Sequence, residues 1–116
     1  MSGRISKYFT REEMRCKCNQ CSCDSMDAET LRIADAIREH VGHPIRPNSA
    51  HRCPAHNKAV GGAKASQHLY ARALDLHVEN PAAVALWVRN KFPHVSTGTY
   101  PFFIHIDTRS GPARHW

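Results

Sequence analysis

Ser66-Gln67-His68-Leu69-Tyr70-Ala71-Arg72-Ala73-Leu74-Asp75-Leu76-His77-Val78 decides how this chain folds, because it passes from loop to strand partway along. From Ala73 the residues alternate, with Leu74, Leu76 and Val78 on one side and Asp75 and His77 on the other. A period of two marks a half-buried strand. The later run Phe103-Ile104-His105-Ile106-Asp107 alternates in the same way and puts His105 and Asp107 on one face. His68 lies in the loop before the first of these strands. If the two strands are neighbours in one sheet, His68, Asp75 and His105 converge above its polar face. Two imidazoles and a carboxylate suit a borderline-soft dication held by three protein ligands, with one position left for water. That open position separates a catalytic zinc site from a closed structural one. A zinc ion there would lower the pKa of bound water to about 7 and polarise a scissile carbonyl.

Outward from this core the pattern is mixed. Thr10 followed by Glu13 fits a capping box on a short helix. Asp27 is a suitable N-cap for a helix to about His40, with Leu31, Ala34, Ile37 and Val41 on one face and Gly42 as its stop. Pro44 to Ser49 reads as extended, and His51-Arg52-Cys53-Pro54 as a loop. Asn57 to Gly62 reads as a turn of helix ending at Gly61-Gly62. Asn80-Pro81 opens a helix to about Phe92, offering Val84, Leu86, Trp87 and Val88 to the core. Two strands are expected between Val95 and Thr108, the second over 102–108. The tail from Gly111 to Trp116 gives no clear signal.

The chain has 116 residues, enough for one domain over 1–116 with a single core. Its net charge of +6 favours an anionic partner such as nucleic acid, a membrane surface or bacterial wall polymer. The basic residues are scattered, with no basic helix and no aromatic-basic interleaving, so no nucleic acid is expected. No apolar run approaches the roughly 20 residues of a membrane span. The polar start lacks the apolar segment of a secretion signal, which predicts either synthesis that ends in the cytoplasm or export by some other route.

Four motifs in order carry a resemblance: Ser49-Ala50-His51-Arg52-Cys53-Pro54-Ala55-His56-Asn57, Gly61-Gly62-Ala63, Ser66 to Asp75, and Phe103-Ile104-His105-Ile106-Asp107-Thr108-Arg109. Together with Tyr8-Phe9-Thr10-Arg11-Glu12-Glu13, they resemble zinc D-alanyl-D-alanine carboxypeptidases over essentially the whole chain. Relatives of that family include L-alanyl-D-glutamate endopeptidases of phage endolysins, and the hedgehog signalling domain shares the fold. The resemblance implies an α+β fold, with a small antiparallel sheet that carries the metal site and helices that flank it. It implies that His68, Asp75 and His105 bind one catalytic Zn2+, that Arg52 orients the substrate carbonyl or carboxylate, and that Ser66 adds a hydrogen bond at the rim. It also implies a monomeric peptidase that cuts an amide in peptidoglycan stem peptides and reaches the wall after holin-type release. The alternative is a zinc-bearing binding module with impaired catalysis.

The chain departs from the family pattern at two places. Many relatives carry glycine three residues after the first histidine, where this chain has Ala71. That change is tolerable if the backbone there is not left-handed. Relatives place their general base two or three residues before the last ligand, where this chain has Phe103 and Phe102. Asp107, on the ligand face, is the first candidate for base or for a carboxylate that orients a ligand imidazole, with His51, His77 and His94 as the others. Cys16, Cys18, Cys21 and Cys23 make a second metal site conceivable, structural in kind, which Cys53 would join from a distance. Reduced thiols, or a disulfide to Cys53, are the other readings of that cluster.

Overall fold

The computed structural model describes residues 4–18, 23–64 and 66–116. Strands β1 (Arg46–Ser49), β2 (Ala73–His77), β3 (Ser96–Thr99) and β4 (Phe103–Asp107) form one sheet in the order β1-β2-β4-β3. Every neighbouring pair is antiparallel. Three helices accompany the sheet: α1 (Ala28–Val41), α2 (Pro54–Ala59) and α3 (Pro81–Lys91). The architecture is the expected α+β class. Among the described residues, no helix is long and apolar enough to cross a membrane.

The two faces of the sheet do different work. Leu74 and Leu76 of β2 and Ile104 and Ile106 of β4 are fully buried on one face. They pack with Leu31, Ile33, Ala34 and Ile37 of α1 and with Val84, Ala85 and Val88 of α3. Truncating one such aliphatic side chain to Ala would cost about 2–5 kcal/mol. Asp75 and His105 occupy the opposite face, directly opposite one another in the β2–β4 register.

Local chemistry sets the helix ends. The Asp27 carboxylate accepts the Thr30 N–H at 3.1 Å, and Gly42 ends α1 at φ 77° while its N–H reaches Arg38 O. The Asn80 side chain caps α3 ahead of Pro81. Leu86, expected in the core, is 56% exposed. It sits about 200° around the helix from Val84, so Ala85 fills the inward position instead. Helix α2 begins three residues earlier than the sequence reading placed its turn. Pro54 supplies a helix-ready φ at the first position, and the Cys53 sulfur accepts the His56 N–H. The Thr10–Glu13 pair forms both bonds of its box, Thr10 N–H to Glu13 Oε1 at 2.9 Å and Glu13 N–H to Thr10 Oγ1 at 3.3 Å.

Residues 71 and 72 are tied to α1 and β4 through buried polar groups. Ala71 O accepts the Asp27 N–H at 2.7 Å, and Arg72 O accepts both the Thr108 N–H and the Thr30 hydroxyl. This anchoring holds Ala71 at φ 56° and ψ 38°, the left-handed conformation that the sequence reading required it to avoid. A Cβ there costs about 1–2 kcal/mol, which three tertiary hydrogen bonds offset. Ala71→Gly should therefore raise stability by about 1 kcal/mol, net of the extra entropy glycine gives the unfolded chain. Denaturant titration would show a higher midpoint at unchanged slope, and a lower midpoint would mean the turn is unstrained.

Candidate metal centre

The antiparallel register supplies two of the three donors without help from loops. Asp75 and His105 face each other across β2 and β4, and His105 Nδ1 lies 2.9 Å from Asp75 Oδ1. The third comes from the 3₁₀ turn Gln67–Tyr70, which Ser66 caps by accepting the His68 N–H on its hydroxyl. That turn sets His68 Nε2 at 3.2 Å from the same carboxylate oxygen. One donor atom from each of His68, Asp75 and His105 lies within 4.8 Å of the others, and all three residues are buried.

Each imidazole is oriented from behind. His68 Nδ1 lies 2.6 Å from Ala50 O, so this nitrogen carries the proton and donates it to the carbonyl. Its Nε2 is left unprotonated, and it is buried with no hydrogen-bond partner. An orphaned acceptor aimed at a carboxylate oxygen is unfavourable unless a cation completes the set. His105 is turned the other way round. Its Nε2 lies 2.7 Å from Asp107 Oδ2 and donates to it, which leaves Nδ1 for the site. These donors fit a zinc-like dication: two neutral imidazoles, one carboxylate and a second carboxylate that holds a ligand ring in place.

The carboxylates are strongly polarised. Burial pushes Asp75 up, but the His105 imidazole, and after it the neighbouring His68 ring, outweigh burial and hold the group far below the usual carboxylate range. Burial likewise pushes Asp107 up, and the Arg109 and His105 bonds outweigh it. For His105, burial lowers the pKa but contacts with Asp107 and Asp75 dominate and raise it. Asp107 is fully buried, and both its oxygens are taken. Arg109 grips it through Nε to Oδ1 at 2.8 Å and Nη2 to Oδ2 at 2.6 Å. Asp107 thus stands behind the His105 ring, on the side away from Asp75. His51, His77 and His94 do not line the cleft described next.

Arg52 reaches the same place from the loop after β1. Its Nε donates to Ser49 Oγ at 2.9 Å and its Nη1 to Asn57 Oδ1 at 3.1 Å, and its Nη2 lies 3.5 Å from Asp75 Oδ2. Gly62 is required here, because any Cβ would run into the Asn57 side chain and Arg52 Nη1. The site opens into a cleft of about 620 Å³, whose walls include Arg52, Ser66, Arg109, Arg114, Tyr100 and Trp116. Of the three guanidinium groups on these walls, Arg109 is paired with Asp107 and Arg52 lies beside Asp75, so Arg114 tips the balance toward an anionic ligand. A second cleft of about 630 Å³ beside His43, Ile45 and Glu79 brings together no set of three ligating side chains among the described residues.

The far wall was not legible in the sequence. Trp116 pairs with β3 through its N–H to Thr97 O and its carbonyl to the Thr99 N–H, and its indole donates to Tyr100 Oη at 2.8 Å. Its ring lies over Gly98, where a Cβ would collide with it. Glycine inside a strand was the available signal, since it marks a close approach by another group.

The cysteines group differently from the expected cluster. Cys16, Cys18 and Cys53 bring their sulfurs within 4.8 Å of one another. Cys23 is not in that group, because its carbonyl, not its sulfur, meets Cys16, through the Cys16 N–H at 2.7 Å. Cys21 lies outside the described residues.

Comparison with known proteins agrees with this picture at the level of family. No curated protein matches the chain. Residues 7–107 match the family model described as Peptidase M15, a span that holds β1 to β4, Arg52 and all three converging donors. The chain belongs to the M15 peptidases, a zinc-dependent family.

Proposed function

We propose that this protein is a zinc peptidase that hydrolyses an amide bond in peptidoglycan stem peptides, either D-Ala-D-Ala or L-Ala-D-Glu. The observation that carries the reading is the meeting of His68, Asp75 and His105 at a cleft floor, with His68 Nε2 buried and unpartnered. Zinc held by these three side chains supplies a Lewis acid that polarises the scissile carbonyl and brings the pKa of water near 7. The remaining work falls to the protein. Ala50 O and Asp107 fix the two imidazoles, so the donors need no reorganisation when substrate enters. Arg52, braced by Ser49 and Asn57, offers its outer N–H groups to a substrate carboxylate or to the oxygen that gains charge. Arg114 adds positive charge along the wall, in keeping with the carboxylates that stem peptides carry.

Under this proposal the enzyme is a phage or prophage endolysin that reaches the wall through a pore made by another protein. The net charge of +6 favours dwelling on anionic wall polymer.

Hydrolysis is read as new amino groups released from purified peptidoglycan. Mass spectrometry of the muropeptides identifies the bond, since free D-Ala and a new D-Glu N-terminus are distinct products. His68→Ala should lose hydrolysis together with the zinc held at this centre, and full activity in this variant would end the proposal. Arg52→Ala should keep its zinc but lose about 10²–10³-fold in turnover, the scale of one lost oxyanion contact. Unchanged turnover would remove Arg52 from its role. Asp107→Asn should weaken zinc binding about 10–100-fold, with activity returning when zinc is added in excess. A general base would instead cost about 10²–10⁴ at saturating zinc.

A further inference from the structure

We infer that Cys16, Cys18 and Cys53 supply three of the four ligands of a second, structural metal site that takes a zinc-class dication. The Cys53 sulfur lies 3.8 Å from the Cys16 sulfur and 3.8 Å from the Cys18 sulfur. Sulfurs each about 2.3 Å from a shared tetrahedral centre lie about 3.8 Å apart, so the spacing is that of ligands on one ion. A disulfide would consume one pair and strand the third sulfur, yet Cys53 favours neither neighbour.

The surroundings are those of acceptor sulfurs. The Cys53 N–H donates to the Cys16 sulfur, and the His56 N–H donates to the Cys53 sulfur, both at 3.4 Å. Backbone N–H groups aimed at two of the sulfurs are the supporting contacts that metal-bound ligands accept. Cys16 is 1% exposed, so a thiolate there needs a cation beside it.

The site has a structural consequence because it joins residues 37 positions apart. Met14 O already accepts the His51 N–H at 3.2 Å, and the Arg52 N–H donates to His68 O at 3.1 Å. An ion bridging Cys16, Cys18 and Cys53 pins the stretch from Ala50 to Cys53 to the N-terminal segment. That stretch supplies both the carbonyl that orients His68 and the guanidinium of Arg52. The second ion therefore acts as a staple under the catalytic floor and touches no substrate.

The test is zinc stoichiometry on the whole protein purified under reducing conditions. Wild type should hold two equivalents. His68→Ala should hold one, and an organomercurial that titrates thiols should release it. X-ray absorption at the zinc edge of His68→Ala should show sulfur neighbours at about 2.3 Å. If that variant does not fold, the same measurement on wild type must still show a sulfur-bound fraction near one half. Zinc in wild type with only nitrogen and oxygen neighbours would overturn the proposal. So would a Cys16–Cys53 disulfide found by mass spectrometry of the unreduced protein. Failure of the proposed catalytic centre reads differently, as one sulfur-bound equivalent in both wild type and His68→Ala.

Discussion

The register between β2 and β4 is the constraint on which the site depends. Asp75 and His105 stand opposite each other because the two strands run antiparallel with Leu74 against Ile106 and Leu76 against Ile104. Those four aliphatic residues are fully buried between the sheet and helices α1 and α3. A slip of one residue in either strand would turn that strand's two aliphatic residues outward and move its ligand to the wrong face. The hydrophobic core thus fixes the distance between a carboxylate and an imidazole, and the chemistry inherits its precision from packing.

Around that pair the protein spends hydrogen bonds on orientation. Both imidazoles that meet the proposed ion are held from behind: His68 by Ala50 O, and His105 by Asp107, which Arg109 holds in turn. Arg52 is braced by Ser49 and Asn57, and Asn57 is itself tied to Ala63 O. Gly62 leaves room for that bracing. Burial would discourage the charged form of Asp75 and Asp107, and the neighbouring imidazoles, with Arg109 at Asp107, reverse the effect. The floor is consequently set before any ligand arrives.

Much of this was legible in the chain itself, and the reasons are specific. Alternation in Ala73–His77 and Phe103–Asp107 gave the strands, because side chains on a strand have only two directions to take. Asp27, Gly42, Asn80 and Pro81 gave the helix ends through local backbone chemistry. What escaped reading depends on contacts distant in sequence. Trp116 joins the cleft only because its backbone pairs with β3, and Cys23 stands apart from Cys16, Cys18 and the expected Cys53 because it meets Cys16 through its carbonyl. Leu86 was misplaced for a simpler reason, since apolarity alone does not say which side of α3 it faces. The left-handed backbone at Ala71 escaped reading because tertiary anchoring at Asp27, and not local sequence, decides it.

The opposite tautomers of the two imidazoles carry a consequence for their replaceability. His68 turns its Nε2 inward while His105 turns its Nδ1 inward, so their donor atoms stand at different reaches from the backbone. A side-chain amide imitates these reaches unequally: the shorter asparagine matches a δ nitrogen, the longer glutamine an ε nitrogen. Near-isosteric mimicry therefore calls for glutamine at position 68 and asparagine at position 105, and exchanging the two amides would leave each donor short of, or past, the point where its partners meet.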